Sequence, residues 1–178
     1  MVIKNVLIDS IHNLLIVKPS VEDAAAVVDF LNDVAGETDY LTFGLGDFPL
    51  TTAQETLTIL DCLEKNTCLM LLAKLHGEIV SQLFLDVPSS IRLNHIGSIG
   101  ISVRKKYWGM SIGTQMILLA IDWAKEKKIT KLQLQVRTDH VNAIHLYKKL
   151  GFQIEGKITR AVRIDGHYFD NYEMGCEL

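Results

Sequence analysis

A chain of 178 residues, 48% of them hydrophobic, is long enough to bury one sizeable core and a tight fit for two, so a single domain spanning 1–178 is expected. Its net charge of −3 and pI near 6.0 exclude a general binder of phosphate backbones, and nucleic acid is not an expected partner. Three widely spaced cysteines without a Cys-x-x-Cys, no His-Glu-x-x-His, and an N-terminus broken by Lys4, Asp9, His12 and Asn13 point away from a disulfide scaffold, a metal site and a membrane span, and towards a cytoplasmic protein.

Leu14–Val17 reads as a short strand stopped by Pro19. Ser20 then caps a first helix that carries Glu22 and Asp23 in its first turn and an apolar stripe through Ala24, Val27, Val28, Leu31 and Val34, ending near Gly36. Residues 37–49 form a loop with Glu37, Asp39 and Asp47, and Thr51 or Thr52 caps a second helix running to Glu64. Two apolar runs, Cys68–Leu75 and Ile79–Val87, flank the turn His76-Gly77-Glu78 as antiparallel strands. Asn94–Val103 is a further strand whose Ile99, Ile101 and Val103 share a face. Ile112, Met116, Leu119, Ala120 and Trp123 recur at helical spacing, with Lys125, Lys127 and Lys128 at the C-terminal end. Leu132, Leu134 and Val136 alternate with Gln133, Gln135 and Arg137, a strand with unlike faces; Ala143–Leu150 is a short helix closed by Gly151. Gln153–Thr159 and Tyr168–Cys176 form a final antiparallel pair around Asp165-Gly166. The order is β-α-α-β-β-β-α-β-α-β-β, with one right-handed parallel crossover between Gly100 and Val136.

That crossover opens on Trp108-Gly109-Met110-Ser111-Ile112-Gly113-Thr114, a loop leading from a strand end into a helix. The first backbone N–H groups of a helix have no internal partners and lie at the positive end of its dipole, so this loop is suited to a phosphate. It is neither a Walker loop nor a Gly-x-Gly-x-x-Gly fingerprint. With Val103 in the strand-end place it resembles motif A of the GNAT acetyltransferases, Arg/Gln-x-x-Gly-x-Gly/Ala, with Trp108 in place of the Arg or Gln and Ser111 in place of the middle glycine. Residues 136–152 resemble motif B of the same superfamily: Ala143, Leu146, Tyr147, Gly151 and Phe152 match, while His140 holds the place of its asparagine and Asn142 falls two residues later. The two motifs stand in the right order roughly thirty residues apart, and their joint occurrence is far more specific than either alone.

The resemblance implies an α/β (α+β) fold: a mixed, largely antiparallel twisted sheet with a central parallel β-α-β unit and flanking helices. It further implies that acetyl-CoA binds through Ile101, Val103, Trp108, Gly109, Met110, Ser111, Ile112, Gly113, Thr114, His140, Asn142 and Tyr147, with Tyr147 as the acid that protonates the leaving thiolate. Transfer to an amine also needs a base, because an amine of pKa ~10.4 is neutral to roughly one part in a thousand at pH 7. Members of the family place a glutamate on the strand before motif A or just before motif B, where this chain has Gly97 and Gln135. His95, Glu37, Asp39 and a water relay are left as candidates. The expected activity is direct acetyl transfer from acetyl-CoA to a primary amine in a ternary complex, without metal or covalent intermediate, no cysteine lying in either motif. The acceptor is a small molecule or a peptide, and a homodimer is compatible with the resemblance. The alternative is an acyl-CoA-binding sensor that has lost turnover.

Overall fold

The structure, a computed structural model, describes residues 2–7, 13–65 and 67–178. It consists of strands β1 (Val2–Leu7) and β2 (Asn13–Val17), helices α1 (Ala24–Glu37) and α2 (Thr52–Glu64), strands β3 (Cys68–Leu75), β4 (Glu78–Asp86) and β5 (Ile96–Val103), helix α3 (Ile112–Glu126), strand β6 (Lys131–Arg137), helix α4 (Val141–Lys149) and strands β7 (Gln153–Ile164) and β8 (His167–Glu177). All eight strands lie in one sheet of order β1-β2-β3-β4-β5-β6-β8-β7. Every neighbouring pair is antiparallel except β5 and β6, which the α3 crossover makes parallel. This is the mixed sheet the resemblance implied, with one addition. β1 was not expected: Lys4 and Asn5 interrupt its apolar pattern, and it exists because β2 offers an edge to pair with.

Local chemistry sets most boundaries. Thr51 caps α2 reciprocally, its Oγ1 accepting from Gln54 N (3.3 Å) while its own N–H donates to Gln54 Oε1 (2.9 Å). Before α1, the residues after Ser20 make a 3-10 turn, Val21–Asp23, and Ser20 N donates to Asp23 Oδ2 at 2.8 Å. The β7–β8 hairpin turns on Asp165 and Gly166, both at positive φ (47° and 83°), and its strands run farther than the sequence suggested.

The two faces of the sheet are covered differently. On one, Ile112, Met116, Ile117, Ala120 and Ala124 of α3 and Tyr147 of α4 pack on the alternate residues Leu69, Leu71, Leu83, Leu85, Ile99, Leu132, Leu134 and Met174. On the other, α1 and α2 cover β2 to β4 through Val27, Phe30, Leu31, Val34 and Ile59. From β5 onwards that second face turns polar: Ser98, Ser102, Gln133, Gln135, Arg137, Asn171 and Glu173 occupy it. Gln133 Nε2 donating to Ser98 Oγ (3.0 Å) fixes the shared side.

One buried carboxyl works against stability. Glu55, in the first turn of α2, is 2% exposed and its Oε1 has no hydrogen-bond partner among the described residues. Burial raises its pKa above the ordinary 4.5, so the folded state binds more protons than the unfolded one and stability falls as pH rises from 4.5 towards the folded value. Glu55→Met should therefore gain about 1–3 kcal/mol at pH 7 and markedly less at pH 4, measured by urea unfolding at both.

Candidate active site

β5 and β6 pair only through Ile96–Lys131, Gly97–Leu132 and Ser98–Gln133; beyond these the two strands part and leave an opening. On its other edge β5 stays bonded to β4 as far as Arg104, whose N–H reaches Val80 O at 2.9 Å. Antiparallel alternation then turns the N–H and C=O groups of Gly100 and Ser102 to β4, and those of Ile101 and Val103 into the opening. Ser102 O accepting from Ser81 Oγ (2.8 Å) agrees with that alternation. The Val103 carbonyl is taken by Trp108 Nε1 at 2.8 Å, which leaves its N–H for a ligand.

At the wide end of the opening the loop before α3 gathers backbone donors. Gly109 and Ser111 adopt left-handed conformations (φ 82° and 60°), and the first regular helical bond is Gln115 N to Ser111 O at 3.1 Å. Among the described residues, no carbonyl or side chain accepts from the N–H of Gly109, Ser111, Ile112, Gly113 or Thr114. Five free amides around a helix start form an anion cradle. Gly113 serves a second purpose: a Cβ there would stand 3.3 Å from Leu146, so its size admits α4. Met110 is partly buried against the core, and Lys105 and Lys106 are exposed beside the loop.

Tyr147 lies on the α4 wall of this region, 8% exposed, with its ring 6.0 Å from that of Phe152. No protein group among the described residues bonds its hydroxyl, and burial pushes its pKa up to about 12. His140, just before α4, stacks on Tyr40 with ring centroids 3.7 Å apart and stands 5.9 Å from Trp108. Burial, the largest influence, holds its pKa below the usual imidazole value. Asn142 is exposed on the first turn of α4.

Of the candidate bases, Glu37 is engaged by its neighbours and His95 is remote. Glu37 is committed at both oxygens, to Arg104 Nη1 (3.1 Å) and Lys105 N (2.6 Å), where it caps the 3-10 turn Lys105–Tyr107. His95 is exposed at the closed end of the wedge, about 26 Å from Val103 at roughly 3.3 Å per strand residue. A side chain at Gly97 would point into the core, where a Cβ would meet Leu132 at 2.9 Å and Leu85 at 3.1 Å.

Residues 36–152 match the acetyltransferase (GNAT) family. The chain belongs to that family. A solved GNAT-family acetyltransferase from Streptococcus pneumoniae is similar at 35% identity, with a TM-score of 0.89 over 93% of this chain and 99% of that one. The L-amino acid N-acetyltransferase AaaT of Escherichia coli is 31% identical over 108 residues, and the spermidine N(1)-acetyltransferase of Escherichia coli 32% over 88. These matches cover 58% and 47% of this chain and 65% and 47% of the two relatives, so the chain spans less than two thirds of each. No helix among the described residues is long and apolar enough to cross a membrane, and no group of three or more His, Cys, Asp or Glu among them is placed to hold a metal ion.

Sequence reasoning missed one part of the site in this GNAT chain. Arg137 is 7% exposed, forks onto Asp139 through Nε and Nη2, donates to Asp39 O at 2.9 Å, and lies between the rings of Tyr40 (4.9 Å) and Phe169 (3.7 Å). It therefore pins the loop after α1 over the polar face beside the wedge. The alternation of Gln133, Gln135 and Arg137 was the only signal, and it gives a face without saying what covers it.

Proposed function

We propose that this protein transfers an acetyl group from acetyl-CoA to a primary amine, by direct attack in a ternary complex and in the cytoplasm. The observation that carries the reading is the set of five unbonded amides at the start of α3 beside the parted strands. Such a cradle fits a diphosphate, and the free backbone groups of Ile101 and the N–H of Val103 fit the amides of a pantetheine arm lying in the opening. Trp108 takes no phosphate in this reading: its indole N–H is spent on Val103 O, and it positions that strand end. His140, a neutral half-buried imidazole, is suited to hydrogen-bond the arm. Tyr147 offers a proton to the departing thiolate, with no competing partner for its hydroxyl among the described residues. Glu37 and His95 are given no part in proton transfer, the first being held by Arg104 and the second lying at the closed end of the wedge.

The relatives named for amino acid and spermidine substrates support an amine acceptor without choosing one. The test pairs thermal melts with thiol release. Acetyl-CoA at 100 times its Kd should stabilise the protein by about 2.7 kcal/mol, and at least one amine of a broad panel should release CoA thiol. Stabilisation without release for any amine would mark a binding module instead. Absence of both would end the assignment.

A further inference from the structure

We propose that Glu173 of β8 is the general base of this site, taking the place of a carboxylate on β6. The inference rests on the acetyl-transfer reading and adds the residue that reading lacks.

Glu173 stands directly opposite Gln135, in the register Gln135↔Glu173, so their Cβ atoms are about 4.5–5.5 Å apart on the same face. Gln135 lies two residues past Gln133, the last β6 residue paired to β5, and the pair therefore sits where the wedge begins to open. The face is the polar one, opposite α3 and α4. Glu173 is partly buried there, and no hydrogen bond or ion pair engages it among the described residues. Its neighbours explain why: on β6 it meets neutral Gln135, and on β7 it meets Gly156, which has no side chain. The charged groups nearest on that face are spoken for, Arg137 by Asp139 and by Asp39 O.

Two further atoms on this face indicate that a polar ligand belongs there. Ser102 Oγ and Asn171 Oδ1, on residues 7% and 6% exposed, have no partner among the described residues, and they stand at the same height on this face, Ser102 on β5 across the opening and Asn171 on β8 beyond Arg137 of β6. Buried oxygens of this kind are costly when unpaired, and the N–H groups of an ammonium can donate to both. In this proposal the amine enters over the polar face, while the thioester arm lies against the α3 and α4 side.

In the step, the Glu173 carboxylate takes one proton from the ammonium, directly or through one water. The amine nitrogen attacks the thioester carbonyl carbon; the C–N bond forms, the C–S bond breaks, and its electron pair leaves on sulfur. Sulfur takes the Tyr147 proton, the second proton shed by nitrogen restores Tyr147 through solvent, and Glu173 returns its own proton to water.

The test is Glu173→Gln on the full chain, assayed with the best amine from a panel of spermidine, the L-amino acids and an alanyl peptide. kcat/KM for the amine should fall 10²- to 10⁴-fold, with the acetyl-CoA Kd unchanged within about threefold by calorimetry. Activity of the variant should climb roughly tenfold per pH unit as the amine deprotonates itself, a slope the wild type lacks. Adding Gln135→Glu, which returns a carboxylate to the same spot, should recover at least tenfold. Glu173→Asp is the second variant should Glu173→Gln not fold, and its expected loss is about tenfold. Unchanged kcat/KM in whichever variant folds overturns the role of Glu173 alone; a wild type that releases no thiol on the whole panel overturns the acetyl-transfer reading beneath it.

Discussion

Tyr147→Phe should lower kcat about 10²- to 10³-fold and leave the Kd for acetyl-CoA within about twofold. The separation follows from where the side chain spends its energy. Its ring packs against Phe152 in the core and stays in the variant, whereas its hydroxyl bonds no protein group among the described residues, so losing it should shift stability by less than about 1 kcal/mol. Burial raises the phenol's pKa to about 12, so the group stays protonated throughout any practical assay range. The sign of that shift also fixes its effect on folding: only the phenolate is penalised, so stability is whole below the unfolded value near ~10 and declines above it. A wild-type profile should accordingly show no alkaline loss from this residue up to pH 10. Stopped-flow or steady-state thiol release with saturating amine decides the matter, and a variant with wild-type kcat would remove Tyr147 from the chemistry.

Gly109→Val should weaken acetyl-CoA binding by roughly 10- to 100-fold while the fold is kept. At φ 82° a β-branched residue is strained by about 1–3 kcal/mol, and the loop relieves that strain by rotating the amides of 109 to 112 out of convergence. Binding must then restore the strained form, and the same energy reappears as lost affinity. Nothing lies within 4 Å of the added Cβ, so steric damage elsewhere is not expected. Ser111→Gly is the matched control: at φ 60° glycine is at ease, and affinity should stay within about threefold. Calorimetry on both variants distinguishes loss of the cradle from general loosening, because only the first should be affected.

Much of the architecture was legible in the sequence because local and global signals agree in it. The capping box at Thr51 and the apolar period of α3 are short-range features, and they survive folding unchanged. β1 was not legible, since its pairing is supplied by β2 and leaves only a weak pattern in its own residues. In the site, the glycine–serine loop was readable because backbone conformation writes itself into residue type. The role of Gly113 was only half readable, for the Leu146 contact that demands a small residue comes from another helix. Glu37 looked available in a loop rich in acids; what commits it is Arg104, 67 residues away, and no local pattern encodes that partnership. Glu173 was hidden for the opposite reason: its position beside Gln135 is a matter of strand register between residues 38 apart in the chain, which only the assembled sheet reveals.

The parallel seam between β5 and β6 is three residue pairs long, and it joins two runs of strands that are each continuous in sequence. Under the proposed function a thioester arm bonded to the β5 edge would supply the ladder that β6 withholds, so that the sheet would complete itself with a piece of its own reactant. Every turnover would then remove that borrowed strand and every reloading return it, and the rigidity of the protein's centre would rise and fall with the proposed catalytic cycle.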